Sequence, residues 1–188
     1  MSGSALQLHW ITPAISDGDI ERLSERNPEL CFERTADGDL VVTPPAGSES
    51  GRRNAALTAM LATWNKAEGK GVVFDSSAGF KLPDSSLRSP DAAWVERARW
   101  ERLTPSQREG FAPICPDVVF ELVSRTDRGH QARQRIESFR RNGASLAILI
   151  DPYERTIEVD GERRAWEPVE LKFPTCNSAF VLDPQDLE

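Results

Sequence analysis

The sequence predicts an α/β fold, a mixed central sheet flanked by helices with an N-terminal β-hairpin, and three observations carry that expectation. Residues 117–123 and 146–150 are almost wholly apolar, the pattern of strands covered on both faces. Between them, residues 131–142 carry an apolar stripe at Ala132, Ile136 and Phe139, which suits a helix returning the chain through a right-handed crossover to a parallel neighbour. Near the start, Ala36-Asp37-Gly38-Asp39 separates apolar runs at 30–34 and 40–43, and Asp-Gly in that setting marks a hairpin turn.

The remaining elements follow in order. Residues 13–27 predict a helix capped by Asp17 or Asp19, with Ile20 and Leu23 on one buried face. After the hairpin, Pro44-Pro45 ends the strand. Ser48 or Ser50 then caps a helix through Lys66 whose Leu57, Met60, Leu61 and Trp64 recur at helical spacing. Strands are expected at 72–75 and 79–82, a turn at 83–86, and a short buried strand at 92–96. The polar stretch 97–112 predicts one short helix capped by Thr104 and Ser106. Residues 117–123 are the best central strand, and Asn142-Gly143 ends the following helix with a left-handed residue. Asp151-Pro152 closes the strand at 146–150. Residues 156–160 and 169–173 read as flanking strands, and the tail from Phe180 as a packed edge followed by an exposed end.

Composition narrows the function. A chain of 188 residues fits one domain, 1–188, able to bury roughly 70% of its unfolded surface. No apolar run approaches the ~18 residues that cross a bilayer, and the first residues lack the basic-then-apolar pattern of a secretory leader, so no membrane partner and a cytoplasmic location are expected. Cys31, Cys115 and Cys176 are too widely spaced for a disulfide framework or a zinc knuckle. A net charge of −7 opposes general affinity for a polyanion. Nucleic-acid binding would therefore need a local patch. Arg125, Arg128, Arg133, Arg135, Arg140 and Arg141 against Asp127 and Glu137 supply one, although a solvated helix face explains such a run equally well.

Two Pro-Asp strand starts draw attention to the chemistry: Ser89-Pro90-Asp91-Ala92-Ala93-Trp94-Val95 and Cys115-Pro116-Asp117-Val118-Val119-Phe120-Glu121-Leu122-Val123. Glu121 stands inside an apolar run, where an ionised acid must be paired or bound to a cation. Alternation puts Asp117, Val119, Glu121 and Val123 on one face of the strand. A hard divalent cation takes one or two carboxylates plus water and phosphate, so Asp91 and Glu121 qualify if their strands are neighbours. Glu33, Glu49 and Asp75 are further acids among which sequence offers no geometric choice. Asp117 suits a strand-starting role, and Ser124 a turn cap or a phosphate contact. His9 and His130 lack any acid–nucleophile pattern, and His130 reads as a surface residue. Of Trp10, Trp64, Trp94, Trp100 and Trp166, the apolar surroundings of Trp64 and Trp94 place those two in the core rather than against bases.

Taken together, 32–40, Gly51-Arg52-Arg53-Asn54, the two Pro-Asp segments through Ser124, Asn142-Gly143-Ala144 and Ile150-Asp151-Pro152 resemble the Uma-two family of predicted restriction endonucleases, within the PD-(D/E)XK nuclease superfamily. The resemblance covers nearly the whole chain. It implies a restriction-endonuclease-like fold and hydrolysis of DNA phosphodiesters, with Asp91 and Glu121 holding the Mg²⁺ or Mn²⁺ that activates water. A homodimer is expected with it, since two symmetric sites cut two strands.

The chain departs from the family at the lysine. Val123 stands two residues after Glu121, and where the family draws its lysine from the following helix this chain has Arg135. Helical spacing sets Arg135 beside the buried stripe, facing the sheet. An arginine there stabilises charge and cannot act as a base. The alternative expectation is a catalytically inactive nuclease-fold module that binds nucleic acid or a partner protein, with Glu121 and Arg135 as a structural ion pair.

Overall fold

The computed structural model describes residues 5–8, 15–125 and 129–188. His9, Trp10, the first residues of the expected 13–27 helix, Asp127 and Arg128 lie outside that set.

The first half builds a small sheet and one long helix. β1 (Leu6–Leu8) is followed by α1 (Asp17–Arg26). Its cap is Ser16 rather than either aspartate, because Ser16 Oγ accepts the Asp19 N–H while the Asp19 carboxylate accepts the Ser16 N–H, a reciprocal capping box. β2 (Cys31–Arg34) and β3 (Leu40–Thr43) form the expected antiparallel hairpin, with Gly38 at positive φ in the turn. α2 (Ser48–Glu68) begins at Gly47, which contributes no side-chain cap, so neither Ser48 nor Ser50 serves as one; left-handed Gly69 ends the helix. β4 (Gly71–Asp75), β5 (Phe80–Lys81) and β6 (Leu87–Arg88) come next. The two strands expected between 72 and 82 separate, β4 into a large sheet and β5 into the small one, ordered β1-β3-β2-β6-β5. Ile15, Ile20, Phe32, Leu40 and Leu87 form the small core between α1 and that sheet.

The second half completes the large sheet. β7 (Ala92–Glu96) leads into α3 (Arg97–Glu101) and α4 (Pro105–Glu109), two short helices instead of one; Thr104 caps the second, and Ser106 lies inside it. β8 (Val118–Leu122), α5 (His130–Arg141) and β9 (Leu146–Asp151) follow, with β8 and β9 parallel. β10 (Thr156–Val159), β11 (Glu162–Arg164), β12 (Val169–Leu171) and β13 (Phe180–Leu182) close the chain with a 3₁₀ turn, Pro184–Leu187. The large sheet runs β11-β10-β9-β8-β7-β4, mixed and flanked by helices as expected, with β8 inside it. The tail is not an exposed end: Leu187 is fully buried, and its carbonyl accepts from Arg52 and Arg53.

Alternation along β8 divides the core. Val118, Phe120 and Leu122 join Leu57 and Leu61 of α2 with Phe173, Phe180 and Leu187. Val119 and Val123 join Ala132, Ile136 and Phe139 of α5. Apart from the small Ala132, each such side chain, fully buried, contributes about 1.5–3 kcal/mol. Glu121 has the parity of the second set and points to the α5 side.

Candidate active site

The β7–β8 register sets the two acids against each other. Ala92 pairs antiparallel with Phe120, so one step further Asp91 stands opposite Glu121. Asp91 is anchored at both oxygens: Oδ1 accepts from Asn54 Nδ2 at 3.0 Å and Oδ2 from the Leu122 N–H at 2.7 Å. Asn54 comes from the second turn of α2, which joins that helix to the sheet edge of the site. Glu121 is 1% exposed. Its Oε2 accepts the Arg135 Nε–H at 2.8 Å and lies 2.8 Å from Nη2 as an ion pair, so the guanidinium fork closes on one oxygen. Glu121 Oε1 is buried with no hydrogen-bond partner, as is Asn54 Oδ1.

A third acid reaches the site from the small sheet. Glu33 on β2 is buried, its Oε1 accepts the Ser89 N–H at 2.8 Å, and Arg88 Nη1 lies 3.7 Å from Oε2. Of the three further acids, Glu33 is the one brought to this cluster. Glu49 pairs with Arg52 and Arg53 at the exposed start of α2, and Asp75 binds Ser77 in a turn. Asp117 works at the far end of the strands, where it accepts the Glu96 N–H and pairs with Arg99.

Electrostatics follow from three acids around one arginine. Burial pushes the Glu121 carboxyl up to about 8, with Asp91 and Glu33 adding to the rise and Arg135 opposing it. Asp91 keeps some surface, yet the chain packed around its carboxyl raises it too, against the pull of Arg135, the Leu122 N–H and Asn54. Burial works against the Arg135 charge, but Glu121, Glu33 and Asp91 together hold it more firmly protonated than an ordinary arginine. Cys31, beside the same groups, is pushed up to about 12 by burial and then by Glu33, which leaves no thiolate nucleophile.

Two of the three acids border open space, Asp91 and Glu33, while Glu121 lies beneath them and lines neither cavity. A cavity of about 460 Å³ is lined by Asn54, Asp91, Ser124, Arg125, Arg135 and Tyr153 among others. A second, of about 820 Å³, has Glu33, Arg88, His130 and Arg141 in its walls, and Gln131 and Arg135 border both. The basic stretch is partly neutralised internally, since Arg133 binds Glu158 and Arg140 binds Glu137. Tyr153 gave no sequence signal, and Asn54 entered only as the last residue of the Gly51-Arg52-Arg53-Asn54 segment of the resemblance, with no role attached. One is a polar residue on a helix and the other an isolated aromatic, and only the fold brings them to the acids.

Comparison with known families now decides the lineage. The sequence model of Uma2, described as "Putative restriction endonuclease", matches residues 18–179. This chain belongs to the Uma2 family. A crystal structure described as that of a putative nuclease belonging to DUF820 from Anabaena variabilis ATCC 29413 resembles this Uma2 chain with a TM-score of 0.64 and 19% identity, over 84% of this chain and 89% of that one. At that identity the likeness is one of fold. No curated protein matches the sequence.

Proposed function

We propose that this Uma2-family chain is a Mg²⁺- or Mn²⁺-dependent DNA endonuclease that hydrolyses phosphodiester bonds, with Asp91 and Glu121 as the metal-holding acids and Arg135 as the charge-stabilising cation. The observation that carries this reading is Glu121 Oε1, a buried carboxylate oxygen without a partner, on the residue opposite Asp91.

The donor set fits a hard cation. Among the described residues no three His, Cys, Asp or Glu side chains gather into a metal cage. Two carboxylates are the usual protein share for Mg²⁺, which keeps the rest of its shell for water and phosphate. Such an ion, when bound, lowers the pKa of water and offsets charge on the phosphate. The protein's own residues prepare the place. Asn54 and the Leu122 N–H fix the Asp91 carboxylate, and Arg135 fixes Glu121 through Oε2 alone. Arg135, permanently protonated, contributes positive charge where the phosphate gains negative charge, and takes no proton from water. DNA as substrate follows from the family, and two sites in a homodimer would serve its two strands. Among the described residues no helix is long and apolar enough to cross a membrane. The free thiols of Cys31, Cys115 and Cys176 suit a reducing cytoplasm.

A second reading has its own support. Both Asp91 oxygens are already hydrogen-bonded and the Glu121–Arg135 pair is formed, as in an inactive module that binds nucleic acid or a partner protein and keeps the pair for structure. Nicking of supercoiled plasmid in Mg²⁺, Mn²⁺ or EDTA, with Asp91→Ala prepared identically, separates the two. Metal-dependent nicking that disappears in the variant is expected. No nicking, or equal nicking by both proteins, would leave the inactive module.

A further inference from the structure

The cavity beside Asp91 has a rim that phosphodiester hydrolysis does not itself require. Tyr153, the chain's single tyrosine, follows β9 after Pro152 and is 40% exposed. It belongs to none of the three hydrophobic clusters. Its backbone is nevertheless fixed, because Asp151 Oδ1 accepts the N–H groups of Tyr153 and Glu154, each at 3.0 Å. Two guanidinium groups lie over its ring, Arg53 at 5.3 Å from the centroid and Arg125 at 5.9 Å.

The two arginines differ. Arg53 is tethered: Nε donates to the Leu187 carbonyl at 2.9 Å, Nη2 lies 3.2 Å from Glu49, and Nη1 donates to the Tyr153 hydroxyl at 3.3 Å. It holds the ring in place. Arg125 is exposed and can exchange the ring for a phosphate. Because β8 and β9 are parallel, the strand ends near Glu121 and Tyr153 emerge on the same side, and Asp91, Arg125 and Tyr153 line one cavity.

We propose that Tyr153, held by Arg53 and assisted by Arg125, grips an unpaired nucleotide of single-stranded DNA next to the acids, with the base against the ring and a phosphate on Arg125. A base inside a duplex does not present its face, so the ligand is a single strand or a frayed end. The inference rests on the nucleic-acid part of the proposed function and not on hydrolysis.

Binding of fluorescently labelled oligo-dT in EDTA, followed by anisotropy beside a blunt duplex of equal length, tests it without cleavage. The single strand should bind more tightly than the duplex. Tyr153→Ala should weaken it about ten-fold, while Tyr153→Phe, which keeps the ring, should stay close to wild type. Arg125→Gln, at an exposed position, should reduce the salt dependence of log Kd by about 0.7. Unchanged binding by Tyr153→Ala, equal losses in both tyrosine variants, an unchanged salt slope, or no preference for the single strand would overturn the clamp. Plasmid nicking reports separately: nicking with an unaltered Tyr153→Ala removes only the clamp, and a ring-dependent grip without nicking removes only the hydrolysis.

Discussion

Replacing Glu121 with glutamine removes a charge at constant shape and leaves Arg135 a carbonyl to donate to, which makes the cost of assembling this site measurable. In the folded chain the Glu121 carboxyl is raised from its ordinary 4.5 to about 8, first by burial. Between those values the folded state carries a proton on Glu121 that the unfolded chain has lost. Stability from this residue is therefore full below 4.5 and declines as pH rises toward 8. At about 1.4 kcal/mol per pH unit, the interval sets a ceiling of about 5 kcal/mol. Glu121→Gln should match wild type in urea unfolding near the lower end of that window and be more stable by several kcal/mol near the upper end. Titrations of remote acids such as Asp17 or Asp84 are common to both proteins and cancel in the difference. Mg²⁺ competes with the proton, so its stabilising effect on wild type should grow across the same window and be weak in the variant. A stability difference that does not change with pH would refute the reasoning, because Glu121 would then be ionised at no cost.

Two further substitutions probe the frame and the cation. A Cβ on Gly71 would stand 2.0 Å from Trp94 Cε2, so Gly71→Ala should destabilise by about 1–3 kcal/mol or more in thermal melts, through displacement of the buried indole that bonds Asn65. Arg135→Lys should retain metal-dependent nicking while losing about 1–3 kcal/mol of stability, since an ammonium replaces two guanidinium donors on Glu121 Oε2; lost stability with no nicking in either protein would favour the structural pair.

The large sheet was legible where burial on two faces forced a simple pattern. β8 and β9 could be read because nearly every position faces one core or the other, and α5 because Ala132, Ile136 and Phe139 repeat at helical spacing. Glu121 stood out by violating the β8 pattern. The two-residue strands β5 and β6 are too short to show a period, and their membership in the small sheet is fixed by long-range pairing such as Arg34 with Leu87. The same limit hid the choice of third acid. Glu33, Glu49 and Asp75 look alike in sequence, and what separates them is the approach of β2 to the Leu87–Asp91 connection, where the Ser89 N–H meets Glu33. The role of Asn54, quoted only within the Gly51-Arg52-Arg53-Asn54 segment, was concealed for a related reason, since its partner Asp91 lies on another element.

An arginine rather than a lysine at position 135 bears on what the proposed site can hold. A lysine ammonium is a compact, mobile charge, whereas the Arg135 fork lies across Glu121 Oε2 through two donors and is fixed by them. That geometry commits one oxygen of Glu121 and leaves the other unpartnered, in a neighbourhood where Asp91 and Glu33 raise the cost of a third negative charge. One arginine against three acids leaves a negative excess when all are ionised. Two responses are open to such a cluster: it takes up a proton, or it takes up a cation. The first gives a stable and inert pair below about pH 8, and the second gives a site ready for phosphate. Under the proposed function the free cation and the pH would set which response occurs, and the nicking assay decides whether uptake of a cation gives a nuclease or the chain is the inactive module.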